Sequence, residues 1–230
     1  MSIDLDDARR AIDDILDSYR DAARTDTAES LLPERLTTGK AYEAWVLCEV
    51  LERLHHDEGC DIRLVGSDAV RLKSSGGPIN RSYAHFVATR RSDSRQFEVW
   101  TDVEFSALSA ALEGRSGASL SRCDYHELDI VIVPAGTWGR PNPAELLVGV
   151  ECKNLDYQKD MLRSLLGVRR ELSFLQDPRP TAFRRWPRAS VPANPPSCLL
   201  AYGTDPNIID FADPGRVFGI DFHFEPLGSS

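Results

Sequence analysis

The sequence predicts an α/β protein, with a central mixed sheet flanked by helices and extra antiparallel strands in its first half. Two observations predict this. Short strand-like runs crowd residues 61–105, and polar connections such as "RRSDSR" favour antiparallel neighbours. Later, "LLVGVECK" is followed by a helical segment and then by the apolar run "SCLLAYGT", the strand–helix–strand order of a parallel crossover. A chain of 230 residues with 42% hydrophobic content builds one substantial core without disulfides or metal, so residues 1–230 are read as one domain.

The elements follow in order. Residues 6–24 carry apolar side chains at 8, 12, 15, 16, 19 and 23, a helical period with a charged outer face, and form the main part of an N-terminal helical region, 1–30. A second helix covers "TTGKAYEAWVLCEVLERLHH", with Thr37 or Thr38 as N-cap and Gly59 just past its end. Strands are expected in "DIRLVG", "AVRLK", "SYAHFVATR" and "QFEVWTDVEF", with "SSGGP" and "RRSDSR" as hairpin turns and a short helix in "SALSAALEG". "HELDIVIVP" and "LLVGVECK" read as two central strands, and 157–175 as a helix stopped at Asp177-Pro178. Residues 38–176 are read as the core. Residues 177–197 hold six prolines among arginines and aromatics and form a loop, while 198–230 supply the late strands "SCLLAYGT" and "RVFGIDFHF".

Composition narrows the function. The five cysteines are scattered and never spaced as CxxC, which fits reduced thiols in a cytoplasm better than a disulfide framework or a zinc site. No stretch is apolar enough for a membrane span, and the acidic start "MSIDLDDARR" is unlike a signal peptide; a cytoplasmic location is expected. Net charge is −9, which taken whole argues against nucleic acid. The distribution reopens it: residues 159–188 carry eight bases against three acids. Lys159, Arg184, Arg185 and Arg188, interleaved with Phe183 and Trp186, form a candidate DNA-binding set, because guanidinium groups grip phosphates and aromatic faces stack on bases. A solvated basic surface is the alternative.

The strand "VGVECKN" raises the sharpest question. Side chains alternate across a strand, so Glu151 and Lys153 share a face with Gly149, while Val148, Val150 and Cys152 point the other way. In "HELDIVIV", the same rule puts Asp129 with Glu127, Val131 and Val133. If the two strands are neighbours, Asp129 stands beside Glu151. Two desolvated carboxylates repel each other unless a cation lies between them, and a hard divalent ion such as Mg²⁺ is the natural one. A lysine beside such an ion can hold a water or neutralise charge on a phosphate. Glu43 adds a third acid, one turn before the stripe Val46, Leu47, Val50, Leu51, Leu54.

"ELD" on one strand, "ECK" on another about twenty residues later, and a preceding helix of the form "GxxxE" resemble the PD-(D/E)XK nuclease superfamily, with its restriction-endonuclease-like fold. The segment "GKAYEAWVLCEVLERLHHDEGCDIRLVG" is similar to the opening of Holliday-junction resolvases and Mrr-type restriction enzymes. Two departures stand beside the likeness: Leu128, not proline, precedes the aspartate, and 61–125 inserts extra strands. The resemblance implies a Mg²⁺-dependent endonuclease acting on DNA, with Mn²⁺ as a substitute. It implies catalytic roles for Asp129, Glu151, Lys153 and Glu43, and metal coordination by Asp129, Glu151 and the Cys152 carbonyl. It also implies a 5′-phosphate product, a setting in bacterial restriction, repair or anti-phage defence, and a homodimer for cutting both strands.

Blander readings stand beside these. Glu151 and Lys153 can be a strand-end ion pair, although lysine is scarce in a chain with 23 arginines and 4 lysines. Glu43 can serve the helix dipole, and Glu127 can be a plain edge acid. The rival function is a nuclease-fold protein without turnover that binds nucleic acid or another protein.

Overall fold

The computed structural model describes residues 5–20, 32–33, 36–66, 70, 72, 75–115, 119–175, 193–194 and 197–227. In chain order the elements are α1 (Leu5–Ser18), α2 (Thr38–His56), β1 (Cys60–Val65), β2 (His85–Arg90), β3 (Gln96–Ser106), α3 (Leu108–Leu112), β4 (Tyr125–Pro134), β5 (Val148–Lys153), α4 (Lys159–Leu172), β6 (Phe174–Leu175), β7 (Ala193–Asn194), β8 (Cys198–Gly203), α5 (Ala212–Val217) and β9 (Ile220–Phe224). Short 3₁₀ turns occupy Pro143–Glu145 and Pro206–Phe211.

Seven strands form one mixed sheet in the order β1-β2-β3-β4-β5-β8-β9. From β1 to β5 every neighbour is antiparallel. The crossover through α4 makes β5–β8 parallel, and β8–β9 is parallel as well. The mixed sheet flanked by helices is therefore as the sequence predicts.

One face of the sheet packs on α1 and α2: Ile130, Ile132, Val148, Val150 and Leu200 meet Leu47, Val50, Leu51 and Leu54, with Ile12 and Leu16 of α1 in the same cluster. The other face packs on α4 and the late turns, where Val131, Val133, Leu199 and Phe222 meet Leu165, Leu172 and Ile208. Helix α2 lies between α1 and the sheet and buries ten residues on both its sides. Truncating one of its large side chains, Leu47→Ala for example, costs about 2–5 kcal/mol. Its start is fixed by Thr37, whose hydroxyl accepts from Lys40 N at 3.2 Å.

The structure corrects two local expectations. Of "AVRLK" only Val70 and Leu72 are among the described residues, with Val70 in an isolated bridge to Ala84, so the strand expected there lies mostly outside them. "SSGGP" is no hairpin turn; Gly77 pairs with Val103 of β3 and Ile79 with Gly139. In "RVFGIDFHF" only Ile220–Phe224 is extended, because Arg216 and Val217 end α5 and Gly219 turns the chain with φ +74°. The hairpin at "RRSDSR" forms, with Arg90 N donating to Arg95 O at 2.8 Å and Ser94 at φ +57°.

Candidate metal centre

The strands β4 and β5 pair through Ile130–Val150, Val131–Gly149 and Ile132–Val148. The ladder stops there. Asp129 and Glu151 are the next residues level with each other, and from that point β5 pairs on with β8, through Glu151–Ala201 to Lys153–Gly203. Beyond the stop, β4 continues against β3 as far as Ser106–Tyr125. The two central strands thus part where their acids stand, and one bond spans the parting: Cys152 N donates to Asp129 Oδ2 at 2.6 Å.

The alternation of side chains fails just here. Phe97 and Val99 of β3 belong to the α2-side core, so a two-residue period assigns Val103 and Phe105 to the same side; both instead pack in the α4-side core with Trp100. The reversal falls at Asp102, whose φ of +51° no ordinary strand residue adopts. Strand β4 reverses at the same level, since Leu128 packs with Val131 and Val133, not with Ile130 and Ile132. Thr101 faces Ile130 and Val103 faces Leu128, with no ladder pair between Asp102 and Asp129. Asp129 therefore does not share a face with Val131 and Val133, as strict alternation expects; its carboxylate turns toward the N-terminal turns of α2.

The unusual backbone at Asp102 is held from outside. Strand β2 leaves β3 after Phe86–Val99, and the segment around Gly77 takes its place. Gly77 N donates to Asp102 O at 3.2 Å and Glu104 N to Gly77 O at 2.9 Å. Arg81 fastens the segment with a two-point contact to the buried Glu98, at 3.0 Å to each oxygen.

Ligand atoms of Glu43, Asp102 and Asp129 all lie within 4.8 Å of one another. Asp102 is wholly buried. The Lys40 ammonium donates to Glu43 Oε2 at 2.5 Å and to Asp102 Oδ1 at 2.8 Å. Burial, then Asp129 and Asp102, push the Glu43 carboxyl up to about 7 against the pull of Lys40. Burial works to lower the Lys40 pKa, but its two carboxylate partners outweigh it and the pKa rises.

Next to this trio, Lys153 Nζ donates to Glu151 Oε2 at 2.7 Å. Burial, followed by Asp129, pushes Glu151 up to about 7, with Lys153 opposing and Glu127 adding a smaller push. For Lys153 burial again opposes charge, while Glu151 and Asp129 raise its pKa. Burial keeps the Cys152 thiol well above its ordinary range, and its side chain packs against the α2-side core.

The structure thus brings Asp129 and Glu43 into one cluster and sets the Glu151–Lys153 pair at the same parting of strands. Lys159 stands exposed in the first turn of α4. His126 lies against the Phe105 ring, with 5.8 Å between ring centres. Arg184, Arg185 and Arg188 lie outside the described residues. Sequence reasoning missed Asp102 and Lys40. The signals were present: an acid inside "FEVWTDVEF", and a second scarce lysine three residues before Glu43.

Three carboxylates from three elements offer only hard oxygen donors, the donor set that suits Mg²⁺ or Mn²⁺ and not zinc. Burial first, and then the neighbouring carboxylates, raise the Glu43 carboxyl, and a divalent cation would offset both, so the residues present fit such an ion. Compared with models of protein families, with curated proteins and with solved structures, the chain matches none of them. Among the described residues no helix is long and apolar enough to cross a membrane.

Proposed function

We propose that the chain is a divalent-metal-dependent hydrolase of DNA phosphodiester bonds, built on a restriction-endonuclease-like core. The observation that carries this reading is the convergence of Glu43, Asp102 and Asp129 where β4 and β5 part, with Lys153 beside them. Asp129, Asp102 and Glu43 would hold Mg²⁺ or Mn²⁺, and Glu151 and the Cys152 carbonyl are the further oxygen donors that the family resemblance implies. The ion would supply Lewis-acid polarisation of a phosphoryl oxygen and neutralise charge that develops on it. Cys152 N fixes the orientation of the Asp129 carboxylate. Lys153, drawn toward Glu151, places an ammonium where it can orient a water or meet an anionic phosphate. Lys159 and the arginines of 177–197 would contact the DNA backbone.

The test is incubation of the purified protein with plasmid, linear, branched and single-stranded DNA in Mg²⁺ and in Mn²⁺. Cleavage of at least one substrate, lost in Asp129→Ala, supports the reading; no cleavage of any counts against it.

Lys40 favours a second reading, a nuclease-fold binding module without turnover. Its ammonium already pairs with two of the three clustered carboxylates. Metal-induced thermal stabilisation separates the two, because an ion that binds the folded state raises its melting temperature while a cluster satisfied by Lys40 does not respond.

A further inference from the structure

Resting on the metal-centre reading above, we propose that Lys40 is a resident cation in the place of a second divalent ion, so that the centre holds one metal ion per chain. Four carboxylates gather where β4 and β5 part: Glu43, Asp102, Asp129 and Glu151. The side chains of Glu43 and Glu151 are each 13% exposed and that of Asp102 is wholly buried, so water offsets little of their charge. Among the described residues, the ammoniums in contact with these carboxylates are those of Lys40 and Lys153.

Lys40 sits where local rules disfavour it. It lies in the first turn of α2, at the positive end of the helix dipole, and that turn carries no acid. The Thr37 hydroxyl fixes its backbone by accepting from Lys40 N at 3.2 Å. What offsets the dipole is the reach of its ammonium, which bridges Glu43 Oε2 at 2.5 Å and Asp102 Oδ1 at 2.8 Å and so joins a helix to a strand. A divalent ion shared by two carboxylates likewise takes one oxygen of each, at about 2.1 Å for Mg²⁺. Between Glu43 and Asp102 the ammonium does what a bridging ion does.

Charge fixes the count. With Glu43, Asp102, Asp129 and Glu151 ionised, Lys40 and Lys153 offset half of the negative charge, and one divalent ion offsets the other half. Glu127 is exposed and keeps its own hydration, so it stays outside this balance. A second divalent ion beside Lys40 would leave the site with excess positive charge, and like charges a few ångströms apart repel strongly where water is scarce. Without Lys40 the balance reverses: one ion leaves a carboxylate uncompensated, and a second ion about 3.5–4 Å from the first becomes favourable.

Titration of the full, EDTA-stripped chain with Mn²⁺, followed by electron paramagnetic resonance, counts bound ions without DNA or turnover. The wild type should bind one Mn²⁺ per chain, with the spectrum of an isolated ion. Lys40→Met keeps the length of the side chain without its charge and should bind two, as a spin-coupled pair, because ions about 3.5–4 Å apart couple magnetically. Lys40→Gln should do the same, and decides alone should Lys40→Met not fold. Lys40→Arg keeps the charge and should stay at one ion. A coupled pair in the wild type or in Lys40→Arg overturns the proposal. So does a single ion in the folded neutral variants, or a second ion there that is not coupled to the first; in each of these cases the metal centre itself stands. A wild type that binds no Mn²⁺ overturns the metal centre, and the role of Lys40 with it.

Discussion

The Lys40 ammonium of α2 stands 2.8 Å from the Asp102 carboxylate of β3, and this contact ties the helix to the one point where β3 reverses its faces. A buried carboxylate needs a cation, and Asp102 has no exposed surface at all. Asp102→Asn keeps a side chain that tolerates positive φ while removing the charge. Mn²⁺-induced stabilisation should disappear and DNA turnover should fall at least about a hundredfold, with circular dichroism unchanged. Wild-type stabilisation by Mn²⁺ in this variant would remove Asp102 from the metal centre.

Lys153→Arg separates chemistry from simple ion pairing. If Lys153 only neutralises Glu151, the arginine fork pairs with that carboxylate at two points and serves as well. If it acts on water or phosphate, the bulkier guanidinium, protonated at every working pH, cannot take its place. A folded protein with single-turnover cleavage at least about a hundredfold slower is expected. Full activity would return Glu151 and Lys153 to a structural pair.

Two raised carboxyls at the metal centre weigh most in the pH dependence of the metal-free protein, with Glu49, pushed by burial up to about 6, adding to them and His85, lowered by burial, opposing them. Glu43 and Glu151 titrate near 7 in the folded chain, against an ordinary value of 4.5. Between those values the folded state holds more protons than the unfolded state, so stability is greatest below the lower value and is lost as pH rises through the higher one. The raised Lys40 and Lys153 titrate above this window and do not offset it. The melting temperature should fall by at least about 5 °C from pH 5.5 to pH 8 in EDTA. The double variant Glu43→Gln, Glu151→Gln should flatten that slope; an equally steep slope would place its origin elsewhere.

Replacing Arg184, Arg185 and Arg188 together should weaken DNA binding and flatten its salt dependence, each lost phosphate contact lowering the log–log slope by about one. Fluorescence anisotropy over a salt series measures this. An unchanged slope would assign the arginines to structure or to another partner.

By itself the sequence determined what local rules govern. The period of α2, its cap at one of the two threonines 37 and 38, and the apolar runs of β4 and β5 each follow from a few neighbouring residues, and all three elements form, with Thr37 as the cap. The pairing of β4 with β5 stood in the sequence only as a condition; the two strands do pair, antiparallel, and bring Asp129 to the Glu151 strand. Tertiary structure alone decided the membership of the acidic cluster. Alternation assumes a regular strand, whereas β3 and β4 both reverse their faces where Gly77 replaces β2 as a neighbour, and no nearby residue announces that exchange. Asp102 and Lys40 are 62 residues apart, and only the packing of α2 across the sheet brings their charges together. The physical reason is range: propensity and capping act over a turn of chain, while the aim of a buried carboxylate is set by whatever long-range neighbour supplies its hydrogen bonds and its counter-charge.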